Sequence, residues 1–205
     1  MLNVVRLIDP KMMNSFCKAI FFGLIVMLPL NLMAQSVDSD FKDKMSLDAA
    51  FKNELIALGF ENGEYPTDQA VNTSDQSYKI TGNLIHLAGT SALAPDGTVM
   101  QGRVEAGDTS PALVNASSLA CAASINHLKN AAGGDLSLIR KVANIKYKTL
   151  TVPGYFDYVP TSNACSEMMV RVFGKTVGAH TRFAIGLFEE PNNETFQIEI
   201  VAYLK

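Results

Sequence analysis

The run Ile139-Arg140-Lys141-Val142-Ala143-Asn144-Ile145-Lys146-Tyr147-Lys148-Thr149-Leu150 decides the fold. It is long and rich in branched side chains, so it predicts a strand, and a helix is predicted on either side of it. Upstream, Ser110-Pro111 predicts a helix start with proline at the first position, where its missing N–H costs nothing. Val114, Ser118, Cys121, Ile125 and Leu128 fall on one face at helical spacing. Ala116, Ala120, Ala122 and Ala123 keep that helix thin enough to pack closely, and Gly133-Gly134 stops it. Downstream, Pro160 suits the first turn of a second helix, with Cys165, Met168, Met169 and Val172 on its buried face and Gly174 at its end. Arg182–Phe188 and Phe196–Leu204 predict two closing strands. The second alternates cleanly, with Phe196, Ile198, Ile200 and Ala202 on one face and Gln197, Glu199, Val201 and Tyr203 on the other. The turn residues Pro191-Asn192-Asn193 predict a hairpin between these two strands.

Nearer the N-terminus, Ser46 caps a predicted helix running to about Leu58, with Leu47, Phe51, Leu55 and Leu58 as its apolar stripe and Gly59 at its end. Glu61–Ser77 is polar and turn-rich, a predicted surface loop. The Gly82-Asn83 turn introduces a strand at Leu84–Ala88, and Pro95-Asp96-Gly97 is a turn before a further strand at Thr98–Val104. The expected class is α/β (α+β), a mixed sheet with two helices packed on one face. The opposite face then needs cover, most simply from another subunit.

The first 34 of the 205 residues have a different character. Lys18 precedes an uncharged run from Ala19 to Leu32, too short for a comfortable membrane span, and Leu32-Met33-Ala34 offers a small residue before Gln35. This pattern predicts an export signal over Met1–Ala34, the alternative being an uncleaved anchor. A polar tether over 35–45 and one domain over 46–205 follow, and the expected location is periplasmic or secreted. Loss of Arg6, Lys11, Lys18 and Asp9 with the signal leaves 14 basic and 19 acidic side chains of the original 17 and 20, a net charge of −5. An acidic chain without a basic run is a poor partner for nucleic acid, and signal cleavage leaves no membrane attachment. Three histidines, with no CxxC or HExxH pattern, give no case for a metal or other cofactor. Export permits a disulfide, but Cys121 and Cys165 sit on separate predicted helices, and two free, buried thiols are the expectation.

Several short motifs lie along this framework. Gly82-Asn83-Leu84-Ile85-His86-Leu87-Ala88-Gly89 resembles the early strand of the Rid family of reactive-intermediate deaminases, also called YjgF-like proteins. Gly134-Asp135-Leu136 resembles that family's "GDL" turn. Asn163-Ala164-Cys165-Ser166-Glu167 is similar to the segment "NGASDL" of one branch. Phe173-Gly174 with Gly178-Ala179-His180-Thr181-Arg182-Phe183-Ala184-Ile185-Gly186 is similar to its "FG…G-x-H-x-R-x-A-x-G", and Gln197-Ile198-Glu199-Ile200 to its closing "IEIE" strand. Five weak motifs in the right order, over Ser46–Lys205, make the resemblance fairly specific. The branch carries the labels chorismate mutase-like and endoribonuclease L-PSP.

The resemblance implies a chorismate mutase-like homotrimer with a ligand cleft at each subunit boundary. It also implies hydrolysis of short-lived enamines or imines of amino acids to 2-oxo acids and ammonia. Carried over residue by residue, it makes Arg182 the carboxylate grip and Glu199 the holder of the attacking water. Gly89, Tyr78 and Ala184 would complete the substrate contacts. The residue chemistry fits these roles. The planar guanidinium fork matches a carboxylate in bidentate fashion, and a carboxylate in a cleft can orient a water and pass a proton. The chain departs from the active deaminases at Ala88, Thr90 and Ala184, where they usually or often have Ser, Gln and Cys, and Phe183 adds a bulky ring beside Arg182. These departures weigh on turnover more than on carboxylate binding. The readings left open are an exported enamine/imine hydrolase, a small-carboxylate binding protein without turnover on the same trimeric scaffold, and, ranked last, a ribonuclease. Against each role stands a plainer one: an ion pair for Arg182, a solvated strand position for Glu199, a satisfied hydrogen-bonding residue for His180, and core packing for Cys165.

Overall fold

In the computed structural model the described residues are 47–66 and 76–205; the predicted signal, the tether and part of the Glu61–Ser77 loop lie outside them. The long run Ile139–Leu150 forms one strand, β4, inside a mixed sheet. The other strands are β1 (Tyr78–Thr81), β2 (Leu84–Leu87), β3 (Thr90–Ser91), β5 (Thr181–Leu187) and β6 (Phe196–Leu204), in the order β1-β2-β6-β4-β5, with β3 on β6. The helices are α1 over 47–57, α2 (Pro111–Ala131) and α3 (Tyr158–Gly178).

Local signals set most of these boundaries. The Ser110 side chain accepts from the Leu113 N–H and Pro111 opens α2. Gly133 and Gly134 end it at φ 67° and 90°, conformations that cost a side-chain-bearing residue. β6 buries Phe196, Ile198, Ile200 and Ala202 and leaves Gln197, Glu199, Val201 and Tyr203 half-buried, as its alternation requires.

Tertiary pairing overrode the sequence expectation at several points. β5 and β6 do not form a hairpin: β4 lies between them, parallel to β5 and antiparallel to β6. Parallel neighbours need a crossover connection, and α3 supplies it. Thr98–Val104 makes isolated bridges to three separate partners, Val99 to Leu93, Gln101 to Glu194 and Val104 to Thr151, so no continuous strand forms there. Conversely, Tyr78–Thr81 pairs with β2 across the Gly82-Asn83 turn, a hairpin whose first arm, Tyr-Lys-Ile-Thr, alternates in sequence but is too short to stand out from the loop before it and is largely exposed. The buried side of α2 includes Leu113, Ser117, Cys121 and Ser124 rather than Val114 and Ser118, because α2 packs on both the sheet and α3. Gly174 (φ 72°, ψ 165°) interrupts α3 without closing it, and a last turn continues to Gly178.

The two helices against the sheet are also joined covalently. Cys121 of α2 and Cys165 of α3 form a disulfide, with Cα atoms 5.3 Å apart. This corrects the expectation of two free thiols, which came from their lying on separate helices; helix packing brings them within bonding distance. The Ser117 hydroxyl adds a hydrogen bond to the Thr161 carbonyl at 2.8 Å. α1 buries Phe51 and Leu55 and ties to α2 through Asp48–Lys129 and to α3 through a two-pronged Glu54–Arg171 pair at 2.6 and 2.9 Å. The opposite sheet face carries Lys146, Lys148, Gln197, Glu199, Phe183 and Ile185. Phe183 and Ile185, on edge strand β5, are 45 % and 38 % exposed.

Candidate functional site

Strand register decides which predicted residues can meet. Residues paired across neighbouring strands share a sheet face. Arg182 pairs with Ile145, which pairs with Ile200, and both of these are buried under the helices. Arg182 therefore projects on the helix side. Ala184 follows it on the same face, paired with Tyr147. Phe183 pairs with Lys146 on the open face, so its ring is not beside the Arg182 guanidinium as the sequence order implied.

The guanidinium reaches α3. Nη1 donates to Ser166 Oγ at 2.8 Å and Nη2 donates to Asn163 Oδ1 at 2.6 Å. Two separate motifs, Asn163–Glu167 and Gly178–Gly186, thus converge on one side chain. Both acceptors are neutral, the arginine is exposed, and among the described residues no carboxylate forms an ion pair with it. Its five N–H donors leave three for other partners.

Ser166 Oγ is the hub. It lies 3.0 Å from His180 Nε2 and 3.3 Å from the Tyr147 hydroxyl, while His180 Nδ1 sits 2.6 Å from the Gly178 carbonyl. Burial lowers the His180 pKa from its ordinary 6.5; the Gly178 carbonyl opposes that shift and the Arg182 charge adds to it. The folded protein therefore favours the neutral ring. The stability this contributes is complete above pH 6.5 and is lost as the pH falls through the lower folded value. Burial raises the Tyr147 phenol, against smaller opposite effects of Ser166 and Arg182, so the hydroxyl stays protonated.

Glu199 stands elsewhere. It pairs with Lys146 in register and ion-pairs with Lys146 at 3.3 Å and with Lys148. Burial pushes its carboxyl up, but the hydrogen bonds and charges of Lys148 and Lys146 outweigh this and hold it below the usual carboxylate range. Lys146 and Glu199 occupy the open face, so Arg182 and Glu199 lie on opposite sides of one chain's sheet. A site using both would need two chains. Gly89 lies on a third feature, a cleft of about 390 Å³ lined by Tyr65, Ser77, Ala88, Thr90, Leu93 and His127 among others. A Cβ at Gly89 would come within 2.9 Å of Gln197 Oε1. Tyr78 is one residue beyond Ser77, but it pairs with Leu87 and packs on the core instead. The sequence shows both motifs that build the Ser166 hub, but no local pattern in it brings them together. Among the described residues there is no group of three or more His, Cys, Asp or Glu placed to hold a metal ion, and no helix long and apolar enough to cross a membrane.

No family model matches the chain. Protein TCP17 of Trypanosoma cruzi is 27 % identical over 139 residues, which cover 68 % of this chain and 86 % of that protein. Two solved structures align over nearly their whole length. The Agrobacterium tumefaciens protein Atu1372, of unknown function, has a TM-score of 0.64 at 23 % identity, covering 79 % of this chain and 98 % of its own. A candidate endoribonuclease from Shewanella oneidensis has a TM-score of 0.63 at 22 % identity, covering 75 % and 98 %. The mixed sheet with its helices on one face is thus a fold shared with these two structures, the fold class that the Rid/YjgF-like resemblance implied. In this chain, edge strand β5 carries an arginine tethered to α3 through neutral acceptors.

Proposed function

We propose that the protein is an exported, homotrimeric binder of a small carboxylate, with Arg182 as the anchor. The observation that carries this reading is the guanidinium itself: exposed, aimed by Asn163 and Ser166, and free of an acidic partner among the described residues. A structural arginine usually has its charge matched by a carboxylate. Holding it with neutral oxygens fixes the fork while leaving the charge for a ligand. Oligomerisation is supported by the apolar side chains on and beside edge strand β5, namely Phe183, Ile185 and Phe188.

Hydrolysis of an enamine or imine is the second reading. Glu199 is ionised and flanked by two lysines on the far face, so it would have to serve a cleft completed by a neighbouring chain. A ribonuclease is disfavoured by the net charge of −5 expected after signal cleavage. Calorimetric titration of 2-oxobutyrate, beside an assay on freshly generated 2-aminoacrylate, tests these readings. We expect binding, and light scattering at micromolar concentration should give about three chains. A binding protein keeps its affinity in Glu199→Gln and shows no hydrolysis; an enzyme loses hydrolysis in that variant while still binding. If wild type binds no small carboxylate, the anchor reading fails.

Export rests on the Lys18-to-Ala34 pattern, and a disulfide suits an oxidising compartment. N-terminal sequencing of protein recovered from outside the cytoplasm should begin near Gln35. An intact Met1, Met12 or Met13 on a cytoplasmic pool would overturn this.

A further inference from the structure

The hydrogen bonds around Ser166 admit one proton arrangement. The Gly178 carbonyl can only accept, so His180 Nδ1 carries the ring proton and donates to it. In the neutral ring Nε2 then holds a lone pair and accepts from the Ser166 hydroxyl. Arg182 Nη1 can only donate, so it fills one lone pair of Ser166 Oγ. The single Ser166 proton is already committed to His180, and Tyr147 must therefore donate to the second lone pair. Every donor aimed at Ser166 Oγ has a lone pair to meet, and both lone pairs of Oγ are used.

Protonating His180 breaks this arrangement. Nε2 becomes a donor aimed at an oxygen whose two lone pairs are taken, and the Ser166 proton loses its acceptor. The crowding is relieved either by reversing the Tyr147 contact, so that Ser166 donates to the Tyr147 oxygen and the phenol proton loses its partner, or by releasing Arg182. Tyr147 is 2 % exposed, so freeing its hydroxyl would leave a buried donor unpaired. Arg182 is exposed and can turn to water at less cost. We infer that His180 is a proton-dependent positioning residue that aims Arg182 through Ser166, locking the guanidinium when the ring is neutral and releasing it when the ring is charged. The inference rests on Arg182 being the carboxylate anchor. Around the ring, β5 presents the Arg182 charge and β4 presents Tyr147. α3 presents neutral Ser166, while Glu167 beside it is exposed and turned to Arg171 at 4.0 Å. Both a ring charge and Arg182 would then crowd the same hydroxyl, which favours release further.

Two measurements on the intact protein test this. Nitrogen-15 NMR of the histidine rings, without ligand, should show His180 as the Nδ1–H tautomer at pH 7.5. Its titration midpoint should rise in Arg182→Gln, and slowly exchanging Arg182 Nη signals should disappear below that midpoint and in Ser166→Ala. Titration with 2-oxobutyrate from pH 8 to pH 5 should show wild-type affinity falling about tenfold through the same midpoint, the loss of one charge-assisted hydrogen bond. Ser166→Ala should be weak and flat across this range, Ser166→Thr should restore the pH dependence, and His180→Gln should abolish it. A His180→Gln profile that tracks wild type, or a His180 midpoint unmoved in Arg182→Gln, overturns the inference. Failure of wild type to bind any 2-oxo acid sinks the anchor reading alone, because the ligand-free NMR still decides whether His180, Ser166 and Arg182 are coupled.

Discussion

Arg182→Ala should bind 2-oxobutyrate about ten- to a hundredfold more weakly than wild type, and Arg182→Lys should fail almost as badly. A hydrogen bond to a charged group is worth roughly 1.5–3 kcal/mol, which sets that range. The lysine result separates charge from geometry. Lys keeps the positive charge but cannot donate from two nitrogens to Asn163 and Ser166 while presenting a second pair of N–H groups to a ligand. Its flexible ammonium would occupy the tether or the carboxylate, not both. Calorimetry on the purified variants reads the affinity directly, and circular dichroism checks that each is folded. Equal binding by Arg182→Ala and wild type would reduce the arginine to a polar tie between β5 and α3.

Removing the Cys121–Cys165 disulfide should lower stability by about 4 kcal/mol. A cross-link separated by 44 residues takes about that much loop-closure free energy out of the unfolded chain. For a protein of this size the loss corresponds to roughly 10 °C in Tm. Both cysteines are fully buried, so the Cys121→Ala/Cys165→Ala pair adds a small cavity but no buried hydroxyl. Urea unfolding with and without reductant, beside the alanine pair, measures the effect. Thiol titration of denatured protein recovered after export should find neither cysteine free. The consequence extends to the site, because Cys165 lies between Asn163 and Ser166 on α3. Loosening α3 against α2 also loosens both acceptors of Arg182, so the reduced protein should bind carboxylate less tightly as well as unfold more easily. Coincident unfolding curves for the reduced and oxidised forms would return these residues to the free-thiol expectation.

Much of this architecture follows from local chemistry that the chain carries on its own. Alternation makes β6 a half-buried strand, branched residues make β4, and Ser110-Pro111 and Gly133-Gly134 bound α2 because capping and positive φ are properties of a few neighbouring residues. The proposed export signal, too, rests on sequence alone, on the short apolar run after Lys18. Periodicity says which residues share a face but not which strand lies next to which. Pro191-Asn192-Asn193 looks like a hairpin turn, yet β4 pairs with both β5 and β6 because α3 carries the chain across in a parallel crossover. That pairing set the site. It put Arg182 under α3 beside Asn163 and Ser166, and it put Glu199 on the far face between Lys146 and Lys148. The disulfide has the same origin: 44 residues of sequence separation say nothing of distance, whereas α2 and α3 packed on one sheet bring Cys121 and Cys165 to 5.3 Å. The chain alone therefore determined its helices, its long strands and its motifs, while β1, β3 and the loss of a strand at Thr98–Val104 were set by pairing. Only the tertiary structure decided which motifs touch, because contacts between elements depend on pairing order and register, which no local pattern encodes.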